Sequence, residues 1–162
     1  MCIRDSVIVE KTHIVTDAQC RTGEPGVYAI GDVAGAPWLA HKASHEAVLC
    51  VEAIAGLPTH ALDPLRIPAC TYSYPQVASI GMTEARAREH AKQSGGEIRV
   101  GKFTFAGNGK AIAMGEDQGL VKTVFDAKSG ELLGAHIIHP EASELITGCL
   151  LYTSDAADDL LC

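Results

Sequence analysis

Asp32 follows Gly31 at the end of a short apolar run, Val27-Tyr28-Ala29-Ile30, and a Gly35-Ala36-Pro37 loop separates it from a helical pattern. A carboxylate in that place has two uses. It caps the loop or the helix that follows. Alternatively it accepts a hydrogen bond from a sugar or ribityl hydroxyl at the carboxyl end of a strand, where open α/β sheets hold their ligands. Gly31 suits the second use, because it lacks the side chain that would block close backbone approach. The helix beginning near Trp38 adds free N–H groups and the positive end of its dipole. A cofactor with a hydroxylated chain and a ring that becomes anionic on reduction fits both features.

The histidines pose a metal or general-base question. His41 and His45 stand four apart on one helical face, as two zinc ligands do. Glu46 follows His45 rather than His41, however, so the metalloprotease arrangement is absent. His136 and His139 are three apart on a strand, which sends them to opposite faces. No third ligand is placed by spacing, and no metal site is expected. His139 and Glu144, within HPEASE, have the spacing of a base and its orienting carboxylate. Cysteines occur at 2, 20, 50, 70, 149 and 162 without a short-spaced pair and read as free thiols, Cys50 and Cys70 as small buried hydrophobes. The chain has no G-x-G-x-x-G after a strand and no two cysteines five apart.

The elements that must position these residues follow from pattern. Residues 7–17 alternate as one or two strands, and Val27–Ile30 reads as a buried strand. A helix runs from Trp38 to about Ala55. Its apolar line is Leu39, Ala43, Ala47, Cys50 and Ile54, with Lys42, His45, Glu46 and Glu52 away from it; Gly56 and Pro58 stop it. Three prolines in LPTHALDPLRIP mark a boundary. Strands at Cys70–Tyr74 and Val77–Ile80 come next, then a helix capped by Thr83 and ending near Gly95-Gly96. Glu97–Phe105 is a strand, residues 106–119 are irregular, and a hairpin turns at Lys128-Ser129-Gly130. Val121, Thr123 and Phe125 share one face of its first arm. Both faces are largely apolar, so the sheet is expected to be covered on both sides, one of them by a partner subunit. Pro140 opens a last helix.

Thirteen basic against twenty acidic side chains give a net charge of −7, which argues against a nucleic-acid partner and offers nothing to an anionic membrane. No apolar run approaches the ~20 residues of a spanning helix, and no signal-peptide pattern is present. A reducing, soluble compartment is expected. The first six residues and 149–162 lack the surrounding periodicity and read as foreign to the fold.

Taken together, RTGEPGVYAIGDVAGAPWLAHKASHEAV resembles the second flavin-binding segment of the flavoprotein pyridine nucleotide-disulfide oxidoreductase family. LAHKA, at 39–43, is most similar to the dihydrolipoamide dehydrogenases. PACTYSYPQVASIGMTE and LLGAHIIHPEASELI resemble the interface domain of the same family. The resemblance covers nearly all of residues 7–148. It implies the α/β tail of an FAD-binding domain over 7–58, a linker at 59–63, and an α+β dimerisation domain with an antiparallel sheet flanked by helices over 64–148. It implies that Asp32, with Gly31 before it, contacts the FAD ribityl chain, and that Trp38, Leu39, Ala40 and His41 line the flavin ring through their backbone. Trp38 stands where the family commonly has methionine. The position of His139 is usually glycine, and the family's catalytic His-Glu pair comes later, so no catalytic residue is assigned.

The implied parent is a homodimeric enzyme that oxidises dihydrolipoyl groups with NAD as acceptor. Its expected partner is the lipoyl domain of a 2-oxo acid dehydrogenase complex, in the bacterial cytoplasm or the mitochondrial matrix. The chain itself would be a catalytically incomplete fragment of that parent. A related disulfide reductase and a non-catalytic interface module are the alternatives.

Overall fold

The computed structural model describes residues 7–153, with side chains through 149. The chain divides into two compact units with the break between Asp63 and Pro64.

The first unit opens with a small hairpin. Strand β1 (Val9–Glu10) pairs antiparallel with β2 (His13–Ile14). The Val27–Ile30 run is not a strand. It touches the preceding segment through one bridge, Arg21 to Tyr28, supported by the Ala29 N–H on the Cys20 carbonyl at 3.0 Å. Among the described residues no second strand lies alongside it, so no ladder forms, and Ile30 is exposed. Gly31–Ala34 then close into a 3-10 turn.

Helix α1 (Ala40–Ile54) begins two residues later than the sequence pattern suggests. Its buried face is centred on Lys42, Leu49 and Cys50, while Ile54 is exposed. Lys42 and Glu46 therefore lie on the inner face rather than away from it. Leu49 and Cys50 pack with Cys20, and with the half-buried Tyr28 and Leu62.

The second unit is built on a five-stranded antiparallel sheet of order β3-β4-β7-β6-β5: β3 (Ala69–Thr71), β4 (Gln76–Gly81), β5 (Ile98–Thr104), β6 (Leu120–Asp126) and β7 (Leu132–His139). Local signals account for most of it. The Thr83 hydroxyl accepts the Arg86 N–H and starts α2 (Glu84–Ser94), and Gly95 ends it in the left-handed conformation. At the hairpin turn, Asp126 Oδ1 accepts the N–H groups of Lys128 and Ser129 at 2.9 and 2.6 Å. The segment read as irregular holds a short helix, α3 (Gly109–Met114), capped by the Asn108 carboxamide on the Ala111 N–H at 3.0 Å and closed by left-handed Gly115.

Helix α4 (Ala142–Thr153) continues past Cys149, where the periodicity was expected to fail. The segments expected to be foreign at 1–6 and 154–162 lie outside the described residues. At the start of α4, Gln76 Oε1 on β4 accepts the Ser143 N–H at 3.0 Å.

One sheet face, with Ala78, Ile80, Ala135 and Ile137, packs on Ala142 and Ile146 of α4 and on Phe105 and Ala111. The opposite face meets α2, where Lys122 Nζ bonds Glu84 Oε2 at 2.6 Å and the His136 ring donates to the Met82 carbonyl at 3.1 Å. Toward one end of that second face a row stays open. Val77, Ile138 and Leu120 are cross-strand neighbours, and all three are exposed.

Candidate functional site

Gly31 adopts φ +71°, and a Cβ there would stand 3.2 Å from the Ala43 Cβ on α1. Only glycine accepts both the left-handed backbone and the close approach of the helix. Its backbone is fully engaged: the N–H donates to Glu46 Oε2 at 2.7 Å, and the carbonyl accepts Lys42 Nζ at 3.4 Å. Gly31 thus seats the turn and offers a ligand no free donor. Lys42 Nζ also donates to the Gly35 carbonyl at 3.1 Å and pairs with Glu46 Oε1 at 2.8 Å.

Asp32 lies on the outside of this fastened turn. Its backbone carbonyl accepts the Gly35 N–H at 3.2 Å, while its carboxylate is exposed and has no partner among the described residues. The capping use is therefore not realised. Residues 35–39 lead directly to the N-terminus of α1, where Leu39 is the cap residue in extended conformation. No side chain caps that end, and the first turn carries no acidic residue. An acceptor carboxylate and an uncapped helix N-terminus are thus presented by one continuous stretch. The first suits hydroxyl donors and the second suits developing negative charge.

The other expected residues take up places around this end. Trp38 is 62% exposed; its ring stacks on His13 of β2 at 5.8 Å between centroids, and Nε1 donates to His13 Nε2 at 3.2 Å. Leu39 is half-buried, and its carbonyl accepts the Ala43 N–H. Ala40 and His41 are exposed at the helix start. A cleft of about 370 Å³ between the β1–β2 hairpin and the turn is lined by Glu10, Lys11, His13, Thr16 and Gly35, among others.

His139 belongs to a different structural job. It is 3% exposed, its Nδ1 accepts the Glu141 N–H at 3.1 Å, and its Nε2 donates to the Glu116 carbonyl at 2.9 Å. The ring stacks on Phe105 at 3.9 Å. Both nitrogens are committed to backbone and Glu144 is not among its partners, so the pair is not a base and its orienting carboxylate. His41 and His45 gather no third ligand: among the described residues no three metal-ligating side chains converge. Cys20, Cys70 and Cys149 are not activated either. Burial first, then the Glu46 carboxylate, pushes Cys20 up to about 11; burial also raises Cys70 and Cys149. A thiol whose pKa is raised stays protonated and is a poor nucleophile.

Sequence reasoning missed Lys42, Glu46 and His13. The available signal was the Lys-x-x-x-Glu spacing within one helix; both residues were placed away from the apolar line, whereas they pair with each other and with backbone groups of a glycine turn.

Comparison with known proteins bears on this geometry. Residues 5–47 match the family model described as pyridine nucleotide-disulphide oxidoreductase. Residues 67–158 match that of the pyridine nucleotide-disulphide oxidoreductase dimerisation domain. The chain is 60% identical over 143 residues to the dihydrolipoyl dehydrogenase of Rhizobium etli, covering 88% of this chain and 29% of that protein. It is 53% identical over 141 residues to that of Zymomonas mobilis, covering 86% and 29%. It therefore spans less than a third of the length of these relatives. Among solved structures, the HOCl-induced flavoprotein disulfide reductase RclA of Escherichia coli superposes with a TM-score of 0.82 at 25% identity, covering 93% of this chain and 34% of that one. LpdA of Mycobacterium tuberculosis gives 0.81 at 21%, covering 92% and 32%, a likeness of fold. With the dimerisation-domain model matched over more than half of its residues, the chain belongs to the pyridine nucleotide-disulphide oxidoreductase family.

Proposed function

We propose that these residues are part of a homodimeric, FAD-dependent dihydrolipoyl dehydrogenase that passes electrons from dihydrolipoyl groups to NAD. The observation that carries the reading is the Asp32 carboxylate, without a partner among the described residues, on a turn fastened to α1 and beside a helix N-terminus that no described side chain caps. The identity to dihydrolipoyl dehydrogenases over the same residues supports the substrate assignment.

The fit to the cofactor rests on the chemistry of these groups. Asp32 would accept hydrogen bonds from the polyol chain of FAD. The N-terminal turn of α1, from Leu39 to His41, would offer the flavin ring its positive end, where a fixed dipole would stabilise anionic charge. Trp38 adds an aromatic surface held by His13. When bound, FAD supplies the two-electron chemistry between dithiol and nicotinamide. The phosphate-binding G-x-G-x-x-G and the paired cysteines are not among these residues, so they contribute cofactor contacts and a subunit interface rather than the reacting groups.

For the second unit, the open row of Val77, Leu120 and Ile138 and the exposed Tyr72 and Tyr74 support a role as the homodimer interface over 64–148. Association with the lipoyl domain of a 2-oxo acid dehydrogenase complex follows from the proposed substrate. A location in the bacterial cytoplasm or the mitochondrial matrix goes with that activity. A related disulfide reductase is the second reading, and the superposition with RclA favours it.

The test is a chimera in which residues 7–148 replace the matching segment of the Rhizobium etli enzyme. The expected result is a yellow dimer with stoichiometric FAD that oxidises dihydrolipoamide with NAD. A folded dimer that purifies without flavin would refute the cofactor reading. One that holds flavin but does not turn over dihydrolipoamide would favour the second.

A further inference from the structure

Lys42 and Glu46 form a pair with side chains only 8% and 15% exposed, on a helix that has solvent available to it elsewhere. Removing two charges from water is costly, and the pair's mutual attraction does not by itself recover that cost. What distinguishes this pair is its other partners. Glu46 takes the Gly31 N–H, while Lys42 takes the Gly31 and Gly35 carbonyls. One carboxylate and one ammonium thus hold both ends of the turn that carries Asp32. The turn has little else to hold it. Its cap residue Ile30 is extended with no side-chain bond, and Gly31 and Gly35 both have positive φ.

We infer that Lys42 and Glu46 are positioning residues for Asp32: they clamp the Gly31–Gly35 turn onto α1 and fix the carboxylate beside the helix N-terminus before any ligand arrives. This rests on the reading of Asp32 as a cofactor contact. The gain is preorganisation, since a glycine-flanked turn left loose would have to be ordered at the expense of binding. A pair that served stability alone could be replaced by apolar side chains without consequence for the turn. A clamp cannot, because the Gly31 N–H then loses its acceptor.

Amide hydrogen exchange on the whole 162-residue chain tests this, comparing wild type with Glu46→Ala, Glu46→Gln and Leu49→Ala. Leu49 is buried on the same helix and reports general loosening. Glu46→Ala is expected to lower the protection of the Gly31 amide by about 10- to 100-fold, as for a hydrogen bond to a charged group. Glu46→Gln keeps one acceptor for the Gly31 N–H but turns an amide NH2 toward Lys42, so its protection should fall between wild type and Glu46→Ala. In the chimera, Glu46→Ala should weaken FAD binding by about tenfold or more, with Glu46→Gln intermediate and Leu49→Ala near wild type.

Equal Gly31 exchange in Glu46→Ala and Leu49→Ala would overturn the clamp. Lost Gly31 protection with unchanged FAD affinity would overturn its positioning role. A wild-type chimera without flavin would instead overturn the assignment of Asp32, and the exchange data would still decide whether the turn is fastened.

Discussion

Ile137 and Ile138 are adjacent on β7, identical in type, and face opposite sides of the sheet. Ile137 is 3% exposed in the core beneath α4, whereas Ile138 is 36% exposed in the open row with Val77 and Leu120. Truncating Ile137 to alanine removes three carbon groups. At ~0.8 kcal/mol each this forfeits ~2.4 kcal/mol of transfer energy. A cavity beside Ala78, Ala135 and Ile146, small or helix-borne residues that close in only partly, adds to the loss. The expected total is about 3–4 kcal/mol, within the range for such truncations.

Ile138→Ala should cost about 1 kcal/mol in dilute protein, because part of the side chain already meets water and no closed cavity forms. If the open row is the subunit interface, that cost rises with protein concentration while the Ile137 value does not. Urea unfolding followed by circular dichroism at two protein concentrations reads both. Equal losses for the two variants, or an Ile138 loss indifferent to concentration in a chain shown to dimerise, would refute the division of the sheet into a closed face and an interface face.

Other consequences are testable more briefly. Hydrogen bonds from Lys122 and then Arg88 push Glu84 down to about 2, from an ordinary value near 4.5. The folded-state value is depressed, so its contribution is present above about pH 4.5 and fades as pH falls toward 2. Glu84→Gln should therefore flatten the acid limb of a stability-versus-pH curve, and an unchanged limb would count against the network. His139→Ala strands the Glu141 N–H and the Glu116 carbonyl and should destabilise by about 2–3 kcal/mol. In the chimera it should leave the pH profile of turnover where it was, and loss of a titrating group from that profile would restore a catalytic role. Asn108→Ala removes the cap of α3 and should cost about 1 kcal/mol in the same urea assay; no loss would mean the cap bond does not hold in solution.

The parts of the fold that were legible in the sequence are those fixed by local chemistry. Thr83 and Gly95 bracket α2 because a hydroxyl cap and a left-handed residue act within a single turn. The 128–130 hairpin turn announces itself through Asp126, Ser129 and Gly130 for the same reason. Parts that depend on distant partners were not legible. Val27–Ile30 has the composition of a strand, but a strand exists only with a neighbour, and this run has one bridge. Helix α3 is six residues between glycines, too short for periodicity to register, and its existence depends on the Asn108 cap and on Ala111 reaching the core.

At the site, the loop from Asp32 into a helix was readable from the pattern, while the strand expected before it is absent. The fastening by Lys42 and Glu46 was not. Charges on an amphipathic helix are ordinarily assigned to water, and only the backbone groups of Gly31 and Gly35 bring these two inward. His139 fell the other way: its spacing to Glu144 imitates a catalytic pair, while its bonds are those of a buried structural ring.

The most direct measurement of the account is FAD affinity in the chimera with Asp32 replaced by alanine and by asparagine. A carboxylate that accepts the cofactor's hydroxyls predicts weakening of about 10- to 100-fold for alanine, with asparagine intermediate because its carbonyl still accepts one bond. Flavin retained at full occupancy and unchanged affinity in both variants would contradict it.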